Sequence, residues 1–439
     1  MSASLDAGVW RRGLVLFTVA LACRLAFMAP GLIDPARLLV PPDSAEYVAL
    51  ARNLDAGHGF SEDAGPPYRP DIRRTPVYPV LLAAVFRLPN AGLRAAAVAG
   101  ALAGSLTVVV TWRLAAAVLG SEGALVAALL LALDSSSVAY DVVILTEALF
   151  TLLIAAAALF LQRRPSRRRA LAAAVLLAAA ILCRPIGILL PLALAPVVVW
   201  RAGRTGGVRQ AVLVNAVAGA AVGAWILRNT LVAGVVTFTS IGAVNLYFHR
   251  AAAIEARIDG RDVETVRGEW EQRFEAANAS RSPRAQVRTL IRAGWAVISA
   301  HPLVYAEAYA AGLLRMAGPD KEALGHVIGS ARAHRGVRWL VGLAAVQLAA
   351  VYAAALAGLW GLATRRLAPA ALALPLVFIG YFIVTAGPEV YPRFRVPMMP
   401  FVVMMSGAGW TALREKNLKN PENPANRANP VNQRTPRTV

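Results

Sequence analysis

Ten apolar runs constrain every fold open to this chain. They lie at roughly 12–30, 91–119, 123–138, 142–161, 169–183, 186–200, 208–232, 338–363, 367–386 and 395–413. A membrane-crossing helix needs about 20 largely apolar residues. In lipid, only helices and closed barrels satisfy their own backbone polar groups. The fifth and sixth runs are short and abut at Cys183-Arg184-Pro185, so the expected count is nine to eleven. Hydrophobic residues make up 57% of the 439, charged residues 16%, and the mean hydropathy is +0.54. Soluble domains carry about 25% charge, so this apolar surface calls for a bilayer. The reading is an all-α integral membrane protein of about ten transmembrane helices, with an external helical region between the seventh and eighth spans.

That reading divides the chain. Residues 1–232 form an N-terminal transmembrane module whose first external loop is 31–90. Residues 233–337 have mixed charge and helical pattern at 250–278, 284–300 and 302–316, and form an external helical subdomain lying partly on the membrane. Residues 338–413 are the C-terminal transmembrane helices, and 414–439 a disordered cytoplasmic tail in which Asn recurs every third residue from Asn417 to Asn432. Arg11 and Arg12 precede the first run as in a signal peptide, but Arg24 interrupts it, so an uncleaved anchor is expected.

Charge sets the orientation. Lys and Arg outnumber Asp and Glu by 45 to 25. Such a balance can mark a nucleic-acid binder, but here the basic residues cluster between spans. Residues 162–169 read QRRPSRRR, with five Arg and no acid, while 134–141 has two acids and no base. The positive-inside rule then places both termini in the cytoplasm and 31–90, 134–141 and 233–337 outside. The expected location is the plasma (inner) membrane, multi-pass, with no nucleic-acid partner. Ala and Arg dominate over Lys, a composition typical of a GC-rich bacterial source. Cys23 and Cys183 show no metal spacing and read as small buried hydrophobes, and the five histidines form no ligand set.

Several ionisable residues then stand at one face. Asp43 lies just beyond the first span, Glu147 opens the fourth, Arg184 sits in the turn between the fifth and sixth, Arg228 ends the seventh, and Arg393 and Arg395 open the tenth. Intramembrane charge is costly and marks function by default. Snorkelling to headgroups accounts for one such arginine; four of them beside two carboxylates suit a phosphate-bearing lipid and a hydroxyl to be activated. Each acid also has a plainer reading. Asp43 could cap a helix over Ser44–Leu54, with Glu46 a weaker candidate on the same face. Glu147 could serve in a structural ion pair. Asp134 and Asp141 read as solvated loop acids.

The motifs resemble a family. Asp43-Ser44-x-x-Tyr47, Ala51-Arg52-Asn53-Leu54, Gly57-x-Gly59-Phe60 and Arg74-Thr75-Pro76-x-Tyr78-Pro79 are similar to the first external loop of the C-type polytopic membrane glycosyltransferases. These include protein O-mannosyltransferases and lipid A aminoarabinose transferases. Glu147-Ala148-Leu149-Phe150, Cys183-Arg184-Pro185, Arg228-Asn229 and Arg393-Phe394-Arg395-x-Pro397-x-x-Pro400 resemble their later landmarks. The resemblance implies a sugar donor on a polyprenyl phosphate, used at the outer face on a glycan, lipid or protein acceptor. It implies that Asp43 is the catalytic base. Glu147 matches a position often occupied by Asp in the aminoarabinose-type relatives. Arg74 and Tyr78, in the first-loop motif, join Arg184, Arg228, Arg393 and Arg395 as substrate-binding candidates. Some relatives use a divalent metal and others none; the sequence shows no metal constellation, and no cofactor is assigned.

The leading expectation is therefore an inverting glycosyl transfer, with the lipid phosphate on the arginines and Asp43 taking the acceptor proton. A multi-pass transporter or lipid flippase is the alternative. It calls for midplane polar groups and symmetric halves, and the sequence shows neither.

Overall fold

The computed structural model describes residues 2–328 and 334–418. Among these the chain is helical, without a strand. The first helix, α1 (Ser2–Ile33), is followed by two helices inside the expected loop 31–90, α2 (Asp43–Asp55) and α3 (Val77–Phe86), which pack together. The ten-residue apolar run of α3 is too short to register as a span and was not expected as a helix.

α4 (Leu93–Ala132) is long enough for two elements. Gly120 has φ 75° and breaks it, as the separate runs 91–119 and 123–138 require. The second part stops at Ala132, because Asp134 caps the short α5 (Ser135–Asp141) through the Ser137 N–H at 2.9 Å. Residues 142–146 are a buried non-α-helical strap, so α6 (Glu147–Gln162) starts later than the run at 142 implied. α7 (Arg167–Cys183) turns at Pro185–Gly187 into α8 (Leu190–Ala202), and α9 (Arg204–Ala233) follows. Arg204–Ala233 ends on Gly234 in the left-handed conformation.

The described residues between α9 and α16 are mostly helical. They contain α10 (Ile241–Val244) running into a π-helical stretch Asn245–Ala251, then α11 (Ala252–Asp259), α12 (Val263–Asn278), α13 (Pro283–Ala300), α14 (Pro302–Ala317) and α15 (Lys321–Ile328). α16 (His334–Ala363), α17 (Pro369–Thr385) and α18 (Met399–Leu418) follow among the described residues. α18 runs past the boundary expected at 414, and the remainder of the expected tail, 419–439, lies outside the described residues.

Among the described residues, six helices are long and apolar enough to cross a membrane: Gly8–Ile33, Leu93–Ala132, Pro185–Ala202, Arg204–Ala233, Gly336–Ala363 and Pro392–Lys416. Val77–Phe86, Glu147–Gln162 and Pro369–Thr385 are shorter apolar helices. The protein is thus a polytopic helical membrane protein.

α18 is the most enclosed of these, wedged between α4 and α16. Small residues permit the approach. A Cβ on Gly407 would stand 2.2 Å from the Gly123 carbonyl, and one on Gly409 1.9 Å from that of Ala354. Rigid seating of α18 matters because the 3-10 turn that leads into it, Pro392–Met398, carries Arg393 and Arg395.

Candidate active site

Four chain ends meet at one end of the bundle. Asp43 begins α2, Glu147 begins α6, Arg184 follows α7, and Arg393 precedes α18. Their side chains alternate in charge. Arg184 pairs with Glu147; Glu147 with Arg393; Arg393 with Asp43; and Asp43 with Arg74. Beyond Arg74, the chain of charges continues through Glu46 to Arg73. Arg393 Nη2 donates to Asp43 Oδ2 at 2.8 Å, and Arg74 Nη2 donates to Oδ1 at 2.6 Å. Each carboxylate oxygen of Asp43 therefore has its own guanidinium.

The strap 142–146 sets this geometry. Ile144 N–H donates to the Leu38 carbonyl, and Ser44 Oγ donates to the Ile144 carbonyl, both at 2.8 Å. Ser44 also accepts from the Val40 N–H at 2.8 Å. The residue next to Asp43 is thereby tied to the segment that ends at Glu147. The N-cap of α2 is Pro42, and no side chain caps the helix. Capping is therefore not the role of Asp43: its oxygens are committed to arginines.

The cluster is mostly enclosed. Side-chain exposure is 0% at Glu147, 8% at Arg74, 11% at Arg184 and about one fifth at Asp43 (22%) and Arg393 (21%). Asp43 and Arg393 thus form its open side. Burial pushes the Asp43 carboxyl up, but Arg393 and Arg74 outweigh it and hold it well below the usual carboxylate range. Glu147 receives both of its arginines on Oε1, and its buried Oε2 has no partner. Arg184 also donates to Thr146 Oγ1 at 3.3 Å and lies over the Phe394 ring.

Tyr78 stands behind this row. Its ring meets Tyr47 edge-on at 5.1 Å, and Tyr47 lies beneath the Arg74 guanidinium at 4.8 Å. Arg74 Nη1 also donates to the Tyr47 hydroxyl at 3.3 Å. Tyr78 buttresses the arginine and does not border the open side.

Two expected phosphate ligands are elsewhere. Arg395 is fully buried and spends its guanidinium on the Met316 and Gly318 carbonyls, at 2.6 and 2.7 Å, and on Ser136 Oγ at 2.8 Å. It fastens the 316–318 turn to α5; its buried Nε has no partner, and none of its hydrogen bonds reaches the carboxylate–arginine row. Arg228 stacks over Phe60 and Trp225 and donates to the Asp71 carbonyl and to Asn229 Oδ1. Its task is to hold the loop that presents Arg73 and Arg74, where Asp71 Oδ1 accepts from the Arg74 N–H at 2.9 Å.

Asp141 is corrected as well. It is buried, not solvated, and pairs with Arg24 of α1 at 2.7 Å. Glu46 and Arg73 belong to the row of charges, a role the sequence could signal only through their position beside Asp43 and Arg74. Among the described residues, no group of three or more His, Cys, Asp or Glu side chains is placed to hold a metal ion.

Comparison with known proteins bears on this arrangement. Residues 73–227 match the dolichyl-phosphate-mannose-protein mannosyltransferase family, a stretch that includes Arg74, Tyr78, Glu147 and Arg184. The apo oligosaccharyltransferase of Archaeoglobus fulgidus superposes on 92% of this chain with a TM-score of 0.53 and 15% identity. The chain shares its fold with that archaeal enzyme. It spans about half (51%) of the length of that archaeal enzyme. ArnT from Cupriavidus metallidurans, bound to undecaprenyl phosphate, aligns with 95% of this chain and 79% of its own, at a TM-score of 0.38 and 15% identity. No curated protein matches the chain in sequence. Within this fold, the carboxylate–arginine row occupies the end of the bundle where α1, α6, α7 and α18 begin or end.

Proposed function

We propose that the chain is a membrane glycosyltransferase. It transfers a sugar from a polyprenyl-phosphate carrier to an acceptor hydroxyl at the outer face of a bacterial plasma membrane, with inversion. The observation that carries this reading is the row Arg184–Glu147–Arg393–Asp43–Arg74, which joins cations for a phosphate to a carboxylate for a proton. The family match over 73–227, to a mannosyltransferase group named for a dolichyl-phosphate donor, supports the same donor chemistry.

The resting geometry adds a condition. A carboxylate held by two guanidiniums is a weak base. The donor phosphate must draw Arg393 or Arg74 toward itself before Asp43 can take a proton. Its negative charge beside Asp43 then raises the carboxyl's proton affinity. Asp43 removes the acceptor O–H proton, the oxygen attacks the anomeric carbon, and the carbon–oxygen bond to phosphate breaks. The bonding pair leaves with the polyprenyl phosphate. Arg184 and Arg393 stand where that leaving group gains charge. One such pair at about 4 Å and an effective dielectric near 20 is worth roughly 4 kcal/mol before desolvation. Glu147, fully enclosed, keeps the two arginines in place.

Purified protein, supplied with labelled sugar on a polyprenyl phosphate and with an envelope extract as acceptor, should release polyprenyl phosphate as label leaves the lipid. Movement of the lipid-linked sugar across a vesicle bilayer without bond breakage would instead establish a flippase.

A further inference from the structure

The helical pair α13–α14 presents an apolar and basic surface that the proposed transfer chemistry does not use. Along α14, Leu303, Ala306, Ala310, Leu314 and Ala317 are exposed and recur at helical spacing, interrupted by the exposed Glu307, whose charge Arg257 partners at 3.4 Å, while Ala308, Gly312 and Met316 face inward. Leu303 is 79% and Leu314 77% exposed. Leaving such side chains in water is unfavourable relative to burial.

The position of α14 is fixed by the end of the apolar helix α17. The Tyr309 hydroxyl donates to the carbonyls of Ile383 and Val384, in the last turn of α17. A Cβ on Gly312 would stand 2.7 Å from the Gly387 carbonyl, so α14 lies directly on the chain leaving α17. The exposed face of α14 is therefore at the membrane boundary.

α13 precedes it across a single residue, His301. α13 contains no Asp or Glu, and Arg284, Arg288 and Arg292 are exposed at four-residue intervals. Ile291 and Trp295 are exposed on the same face. Arginines interleaved with Trp and aliphatic residues fit phosphate headgroups and the acyl boundary beneath them.

We infer that α13–α14 is a lipid-docking surface, which lies on the leaflet at the carboxylate–arginine end of the bundle and binds anionic phospholipid headgroups through Arg284, Arg288 and Arg292. The opposite face of α14 meets the segment leading to Arg393, where Arg315 donates to the Pro388 carbonyl at 2.7 Å. The lipid contact therefore bears on the frame of the active site.

The test uses the full chain in nanodiscs of mixed anionic and zwitterionic phospholipid, with Cys23→Ser as background and nitroxide labels at Leu303→Cys, Leu314→Cys and the α12 control Glu275→Cys. The ratio of collisions with oxygen to collisions with a water-soluble nickel chelate should be several-fold higher at 303 and 314 than at 275. Equal ratios would overturn the inference. The combined Arg284→Gln, Arg288→Gln and Arg292→Gln variant should retain several-fold less anionic phospholipid in native mass spectrometry. Retention equal to wild type would overturn the assignment of these arginines to phosphate headgroups.

Discussion

Arg393 and Asp43, 350 residues apart in sequence, are joined at 2.8 Å. The same guanidinium reaches Glu147, so one side chain links the start of α18 to the starts of α2 and α6. Asp43 and Glu147 share this guanidinium. Under the proposed function, the arginine between the two carboxylates is the group a phosphate would compete for.

Arg393 and Arg395 should differ sharply on mutation. Arg393→Ala removes an open-side cation and should weaken binding of polyprenyl phosphate. Arg393→Lys should restore it only in part, because a point charge replaces a planar fork. Arg395→Ala leaves two carbonyls and a hydroxyl without their buried donor, at about 1–3 kcal/mol each. It should lower the unfolding temperature, while the protein that stays folded binds the phosphate as wild type does. Lipid-phosphate binding and thermal unfolding, measured on both variants, check the contrast.

The depressed proton affinity of Asp43 sets a pH dependence for the unliganded protein. A carboxyl whose folded pKa is lowered contributes stability above its unfolded pKa, about 3.9. That contribution is lost as pH falls toward the folded value. The stability gap between wild type and Asp43→Asn should therefore be constant from pH 8 to about 5 and narrow only below about 4. Denaturation in detergent across this range measures it; a gap that closes near pH 6 would show that the arginines do not hold the carboxylate.

A glycine substitution tests the buried Arg24–Asp141 pair. A Cβ on Gly104 would stand 2.0 Å from Asp141 Oδ2 and 2.6 Å from Arg24 Nε. Gly104→Ala should destabilise by about 3 kcal/mol or more, because it overpacks the site and displaces a buried ion pair. Gly219, in α9, has open space around its Cβ position. Gly219→Ala should be neutral or stabilising by up to about 1 kcal/mol. Chemical unfolding of the two variants side by side gives the comparison.

Much of this arrangement is legible in the sequence, for a physical reason. Charges are rare within apolar runs, so Glu147, Arg184 and Arg393 stand out at their borders, and Asp43 follows the first run closely. Their partners are not legible. Arg393 and Arg395 are two residues apart, yet the 3-10 turn aims one at Asp43 and the other at Ser136. Asp141 reads as a loop acid because nothing local reveals that Gly104 opens a niche for it beside Arg24. Helix α3 was missed because its apolar run is half the length of a span.

The proposed orientation rests on the arginine-rich 162–169 segment and has its own test. A reporter active only outside the cytoplasm should give signal when fused after Gly260 and none after Arg169. Signal after Arg169 would invert the topology and move the carboxylate–arginine row to the cytoplasmic face.

The central claim is that Asp43 takes the acceptor proton, and Asp43→Asn tests it most directly. Asn keeps the size and shape of the side chain but cannot act as a base at neutral pH. The measurement is the rate of sugar transfer from the polyprenyl-phosphate donor, made beside donor binding on the same folded preparation. Turnover should fall by at least about 10²-fold while the donor still binds. Near wild-type turnover in a folded, donor-binding Asp43→Asn protein would contradict the account.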